Sequence, residues 1–116
     1  MAIVRENGDV VCRRCTMADR PFARMKGLLG RHGLEQDEGL LLRPASSIHT
    51  WFMRFPIDAV FLDEGMAVVA TRADIAPWRM ARARGAKSVL ELARGAAADL
   101  RPGDRLTVSE NGNGRA

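Results

Sequence analysis

From Ile48 to Asp63 the chain reads Ile-His-Thr-Trp-Phe-Met-Arg-Phe-Pro-Ile-Asp-Ala-Val-Phe-Leu-Asp, with large apolar side chains on both odd and even positions. Successive side chains of a strand point to opposite faces, so this pattern demands burial on both faces. Trp51, Phe52, Met53, Val60 and Phe61 are therefore expected in the core. Asp58 shares the parity of Val60 and Leu62, which places it inside the core or at its mouth. A carboxylate there needs a partner, and His49, Arg54 and Arg31 are the available cations. Two readings follow: a His49/Asp58 acid-base or binding pair, or a buried polar clamp that fixes strand register, the ordinary fate of such groups.

The flanking sequence supplies more strands. Asn7-Gly8-Asp9 is a turn signal between Ile3-Val4 and Val10-Val11-Cys12, predicting a hairpin that leads into a strand toward Met17. Gly39 to Leu42, closed by Pro44, and Ile48 to Met53 are short apolar runs flanked by breakers and read as strands. Ile57–Leu62 and Met66–Arg72 form a hairpin through Asp63-Glu64-Gly65, whose glycine suits a left-handed bulge position. Ser88 to Leu92 and Arg105 to Val108 complete the set, the latter opened by Pro102-Gly103-Asp104. Ala76 to Ala86 reads as a basic loop, and Ala96 to Leu100 as a turn or a single helical turn.

One helix is predicted over about 19–31. Asp19 is its N-cap, Pro21 lies in its first turn, and Phe22, Met25 and Leu29 form an apolar stripe. Gly30 and Gly33 end it, with Arg31 and His32 against the negative end of its dipole. The expected fold is thus α+β: a strongly bent, mostly antiparallel sheet or partly closed β-barrel with that helix packed on one side. At 116 residues there is room for one domain, 1–110, followed by a Gly- and Asn-rich tail, 111–116, expected to be disordered.

Composition narrows the function classes. With 47% hydrophobic and 28% charged residues the chain is an ordinary globular sequence, and no apolar run approaches the roughly 20 residues that span a bilayer. The polar start lacks the form of a signal peptide, so a cytoplasmic location is expected. Cys12 and Cys15 have C-x-x-C spacing, but residues three apart on a strand point to opposite faces, and no second pair completes a zinc set. They read as ordinary small core residues; no metal or cofactor is expected. His32 and His49 lack zincin spacing, and Gly27-Leu28-Leu29-Gly30 lacks the lysine and preceding strand of a P-loop. No serine sits in a nucleophile elbow. The net charge of +4 raises the prospect of an acidic partner, and its densest expression is Trp78-Arg79-Met80-Ala81-Arg82-Ala83-Arg84-Gly85-Ala86-Lys87. Cations beside an aromatic suit a single-strand nucleic-acid contact or an anion-binding loop, with a solvated loop as the plain alternative.

Gly27-Leu28-Leu29-Gly30-Arg31, then His49-Thr50 with Phe52-Met53, then Pro56-Ile57-Asp58, Phe61-Leu62-Asp63, Leu90-Glu91-Leu92 with Gly95, and Gly103-Asp104 closely resemble the bacterial and archaeal family known as domain of unknown function 192. The resemblance runs from about Cys15 to Val108 and does not include Cys12. It implies a compact, β-rich α+β domain with no assigned activity, cofactor or substrate. Many members look secreted or lipid-anchored, a location not carried over to a chain with this start.

Three functions are consistent with these readings. The first is a small non-catalytic or accessory binding domain for a small molecule or protein, its polar cleft edged by Arg31, His49, Arg54 and Asp58, with Trp51 or Trp78 as an apolar wall. The second is a hydrolase-type enzyme using His49 as a base oriented by Asp58. The third is nucleic-acid binding through Arg79, Arg82, Arg84 and Lys87.

Overall fold

The computed structural model describes residues 1–18 and 31–110. They hold ten strands: Ala2–Arg5 (β1), Val10–Cys12 (β2), Arg14–Ala18 (β3), Glu38–Leu42 (β4), Ser47–His49 (β5), Ile57–Leu62 (β6), Val68–Ile75 (β7), Met80–Arg82 (β8), Ser88–Ala93 (β9) and Leu106–Ser109 (β10). Three sheets result, ordered β10-β1-β2, β3-β4-β9-β6-β7 and β5-β8. The β3-β4 pair is parallel and every other pair is antiparallel.

This corrects the α+β expectation. The described residues contain no helix, and β3 and β7 end the five-stranded sheet without pairing to each other, so no barrel closes. The class rested on a single helix signal, and that segment, 19–31, lies outside the described residues except for Arg31. The described strands divide among three sheets instead of joining into one bent sheet.

The central sheet is buried on both faces, as the pattern of Ile57–Leu62 demands. Every residue of β6 and of β9 is buried. Alternation along these strands sends Val60, Leu62, Leu90, Leu92 and Leu41 into one core with Ile3 and Leu106 from the β10-β1-β2 sheet. It sends Ile57, Ala59, Phe61, Val89, Leu40 and Leu42 into a second core, roofed by Ile48, Met53, Phe55 and Ala86, with Ala81 packed against it. The molecule is therefore three layers, with the β5-β8 ribbon on one side of the central sheet and the β10-β1-β2 sheet on the other.

Local differences from expectation have local causes. The strand expected to run from Val10 to Met17 breaks at Arg13, where the chain leaves the outer sheet for the central one. That bend turns Cys12 and Cys15 into the same core rather than onto opposite faces. Both thiols are free, that of Cys12 donating to the carbonyl of Asp37 (3.6 Å) and that of Cys15 to the carbonyl of Thr16 (3.8 Å). The nearness of the two lowers the pKa of Cys12 and, together with burial, raises that of Cys15. Gly39 makes room for them: a Cβ there would lie 2.6 Å from Cys12 Sγ. In the β6-β7 turn the left-handed residue is Met66 (φ 67°) and not Gly65; Met66 is buried in the first core, and Asp63 Oδ1 accepts from the amides of Gly65 and Ala67. The basic stretch after Ala76 is not all loop, because Met80–Arg82 forms β8.

Candidate functional site

The expected pair of His49 and Asp58 does not assemble. Asp58 is 1% exposed and projects into the first core beside its register partner Leu92. His49 stands on the outer face of β5, which covers the opposite side of the central sheet. Both carboxylate oxygens of Asp58 are committed to the backbone: Oδ1 accepts from the amide of Asp74 (2.9 Å), and Oδ2 from those of Gly95 (3.0 Å) and Ala97 (3.1 Å). The reason is visible in the β6-β7 register, which shifts between Ile57 and Ala59, so that Ala73 and Asp74 oppose Asp58 as a bulge. Asp58 satisfies the amide that the bulge frees and also holds the turn after β9.

Arg31 does not join His49 either; its guanidinium lies 2.8 Å from Glu38, and together with the Glu35 amide it holds the Glu38 carboxyl below its usual pKa. Arg54 is exposed on the segment that follows β5. What the structure does gather is Trp51 and Trp78, in company the sequence did not announce.

The gathering point is Thr50, completely buried at the end of β5. Its hydroxyl donates to the carbonyl of Ala76 (2.6 Å) and accepts from the amide of Arg79 (2.8 Å). Its carbonyl accepts from the amides of Met53 (3.2 Å) and Trp78 (2.9 Å), and its own amide donates to the carbonyl of Arg79 (2.8 Å). One side chain and its peptide groups thus tie together two tight turns, Thr50-Trp51-Phe52-Met53 and Ala76-Pro77-Trp78-Arg79.

The turns repeat one device. Each places an aromatic at the third position with positive φ, Phe52 at 67° and Trp78 at 65°, where a turn of this kind ordinarily takes glycine. Neither ring is buried: Phe52 is 67% and Trp78 56% exposed, with ring centroids 4.7 Å apart and planes tilted by 58°. Beside them His49 stacks on Trp51 at 4.6 Å and 27°, and Met80, the register partner of His49, is 66% exposed. Trp51 and Phe52 were expected in the core. They are outside because the turn at Thr50 ends strand alternation after His49, leaving Met53 and Phe55 to roof the second core.

Along the ribbon the outward face changes character. Ser47 pairs with Arg82 one step beyond the His49-Met80 pair, while Ile48 and Ala81 point inward. Past Arg82 the chain turns at Gly85 (φ 87°), forming with Ser46, Arg84 and Lys87 a basin of about 510 Å³. The residues numbered 43–57 and 75–90 contain Arg43, Arg54, Arg79, Arg82, Arg84 and Lys87, and Asp and Glu are absent from both segments. None of these six cations is in an ion pair among the described residues; the pairs made by Arg5, Arg14, Arg31, Arg94 and Arg105 lie elsewhere. Arg79, Arg82, Arg84 and Lys87 are thus brought onto one ribbon with the aromatic cluster, whereas Asp58 and Arg31 are not. Thr50, Phe52, Met80 and Ser46 are the members that sequence reasoning missed; Pro77 ahead of Trp78 was the one available signal of an exposed aromatic turn.

The family model for domain of unknown function 192, described as an uncharacterised ACR, matches residues 2–108. Two crystal structures share the fold. A protein of unknown function from Novosphingobium aromaticivorans DSM 12444 superimposes with a TM-score of 0.79 at 21% identity, over 93% of this chain and 84% of that one. A protein from Sinorhizobium meliloti 1021, described as a candidate transcription regulator, gives 0.76 at 21% identity, over 91% and 89%. No curated protein matches the chain.

Proposed function

Because the chain belongs to the domain of unknown function 192 family, whose name carries no activity, we propose from its geometry that it is a small non-catalytic binding domain. Its recognition face is the outer side of the β5-β8 ribbon with the two turns at its end. The observation that carries this reading is the pair Phe52 and Trp78, bulky residues in left-handed conformation with their rings in solvent. Such backbone costs about 1–3 kcal/mol per residue, and residues kept in it cluster at ligand contacts. The usual return for an aromatic, burial in a core, is missing here. Thr50 supplies the rigid support that a preorganised contact requires.

A hydrolytic reading has less to stand on, since the oxygens of Asp58 are taken up by backbone amides on the far side of the sheet from His49.

The test compares stability with binding. Phe52→Ala and Trp78→Ala should each change the unfolding free energy by less than about 1 kcal/mol, as exposed positions do. Buried Phe61→Ala should cost about 3–5 kcal/mol. A thermal-shift panel of nucleotides, flat aromatic acids and acidic peptides should contain a class that raises the Tm of the native chain and not that of the Phe52→Ala/Trp78→Ala double variant, since a ligand bound only by the native state stabilises it. Core-sized losses of stability at Phe52 and Trp78, or stabilisation that persists in the double variant, would remove the recognition face.

A further inference from the structure

The recognition face has two unlike ends, and their chemistry and charge indicate what lies across it. Resting on the reading just proposed, we infer that its ligand is single-stranded nucleic acid, with bases stacked on the aromatic end and backbone phosphates in the cationic basin.

The aromatic end provides ring faces with no hydrogen-bonding demand on sequence. Phe52 with Trp78, and His49 with Trp51, are two separate ring pairs, each braced by its own contact. Braced rings lose little freedom when a base stacks on them, and stacking tolerates any base because every base has a π face. The cationic end provides charge without competition. Arg82, Arg84 and Lys87 are exposed around the basin, Ser46 adds an exposed residue with a hydroxyl at its wall, and no acidic residue occurs between Arg79 and Lys87. Phosphates neutralised by Arg and Lys dominate nucleic-acid affinity.

The ribbon sets the spacing of the outward side chains between the two ends. Met80 and Arg82 are two residues apart on one strand and point the same way, which at about 3.4 Å per residue is roughly 7 Å. Outward residues of the ribbon therefore follow one another at about the repeat of an extended nucleotide chain, in which base and phosphate alternate, whereas a small-molecule anion would use one end only. Duplex is a poor fit because its bases are not free to stack on protein rings. An anionic bilayer would favour cations encircling the aromatic tips, whereas here Arg82, Arg84 and Lys87 collect toward the far end of the ribbon from Phe52 and Trp78.

Fluorescence anisotropy of labelled oligothymidylate and oligouridylate with the full chain tests the inference, with duplex DNA, heparin and phosphatidylserine-containing vesicles as parallel arms. Single strands should bind more tightly than duplex or heparin. With about three phosphates neutralised, an approximately fourfold rise in salt should weaken binding about 20-fold. Phe52→Ala/Trp78→Ala should lose about 100-fold, roughly tenfold for each stacking ring, with the salt slope unchanged. Arg82→Glu/Arg84→Glu should weaken binding and flatten the slope.

Equal binding of single strands, duplex and heparin, unaffected by loss of the two rings, would reduce the contact to bare charge and overturn the inference. Vesicle binding without oligonucleotide binding would overturn it in favour of a membrane surface and leave the recognition face standing. Binding to none of these probes, with a different class stabilising the native chain in the thermal panel, would also overturn the ligand class and spare the face. A thermal panel without any ring-dependent stabiliser would remove both.

Discussion

Asp58 shows how far a single residue can be read from its neighbours. Its parity with Val60 and Leu62 places it in the interior, and it is 1% exposed. Its partners were not legible, because they are the main-chain amides of Asp74, Gly95 and Ala97, and an amide has no side-chain signature. The two latter amides sit in a turn nearly forty residues downstream. Hydrogen bonds to a charged group contribute about 1.5–3 kcal/mol each, and a buried donor left without an acceptor costs about 1–3 kcal/mol. Asp58→Ala should therefore lower the unfolding free energy by about 4 kcal/mol, a large part of the stability of a domain this size. Asp58→Asn should recover only part, since its one oxygen can accept from Gly95 and Ala97 while its amide nitrogen would face the Asp74 donor. Urea denaturation reads both, through the midpoint at an unchanged slope. A midpoint for Asp58→Ala equal to the native one would show that the bulge and the turn hold without the carboxylate.

Strands and turns differ in how openly the sequence announces them. β6, β7 and β9 follow from apolar runs between Gly, Pro and Asp. The two turns tied by Thr50 did not, because their left-handed positions hold Phe52 and Trp78 where a glycine would have marked them. An apolar run read without the turn makes Trp51 and Phe52 look like core. The device depends on one hydroxyl, so Thr50→Val is the informative change: it keeps the shape and leaves the Ala76 carbonyl and Arg79 amide without their partner. A global cost of about 1–3 kcal/mol is expected. Hydrogen exchange at the amides of Met53, Trp78 and Arg79 should accelerate well beyond that global change, while β6 and β9 amides follow it alone. Uniform acceleration would mean that the turns open only with the whole molecule, and that Thr50 is not their local tie.

At the scale of the molecule, the segment Ile48–Asp63 required cover on both faces of the central sheet, and the two outer layers provide it. What composition could not show is how the layers divide, because three-residue strands such as β5 and β8 carry too little periodicity to be placed. The division has an electrostatic cost. Glu91 on β9 alternates with Val89 and Ala93 onto the ribbon side of the sheet, between its register partners Leu40 and Ala59, and is 5% exposed. Burial pushes its carboxyl up to about 7, well above the usual glutamate value. Between that usual value, about 4.5, and about 7 the folded state binds the proton more tightly than the unfolded state does, so stability falls as pH rises through the interval and levels off above it. At 1.36 kcal/mol per unit, the native chain should lose about 2–3 kcal/mol from Glu91 between about pH 5 and about pH 8. Glu91→Gln, neutral throughout and of similar shape, should remove that slope and be the more stable chain at the alkaline end. Urea titrations of both chains across the range measure the difference directly. If the two lose stability in parallel, Glu91 is ionised in the fold, and the layer between sheet and ribbon admits enough water to solvate it.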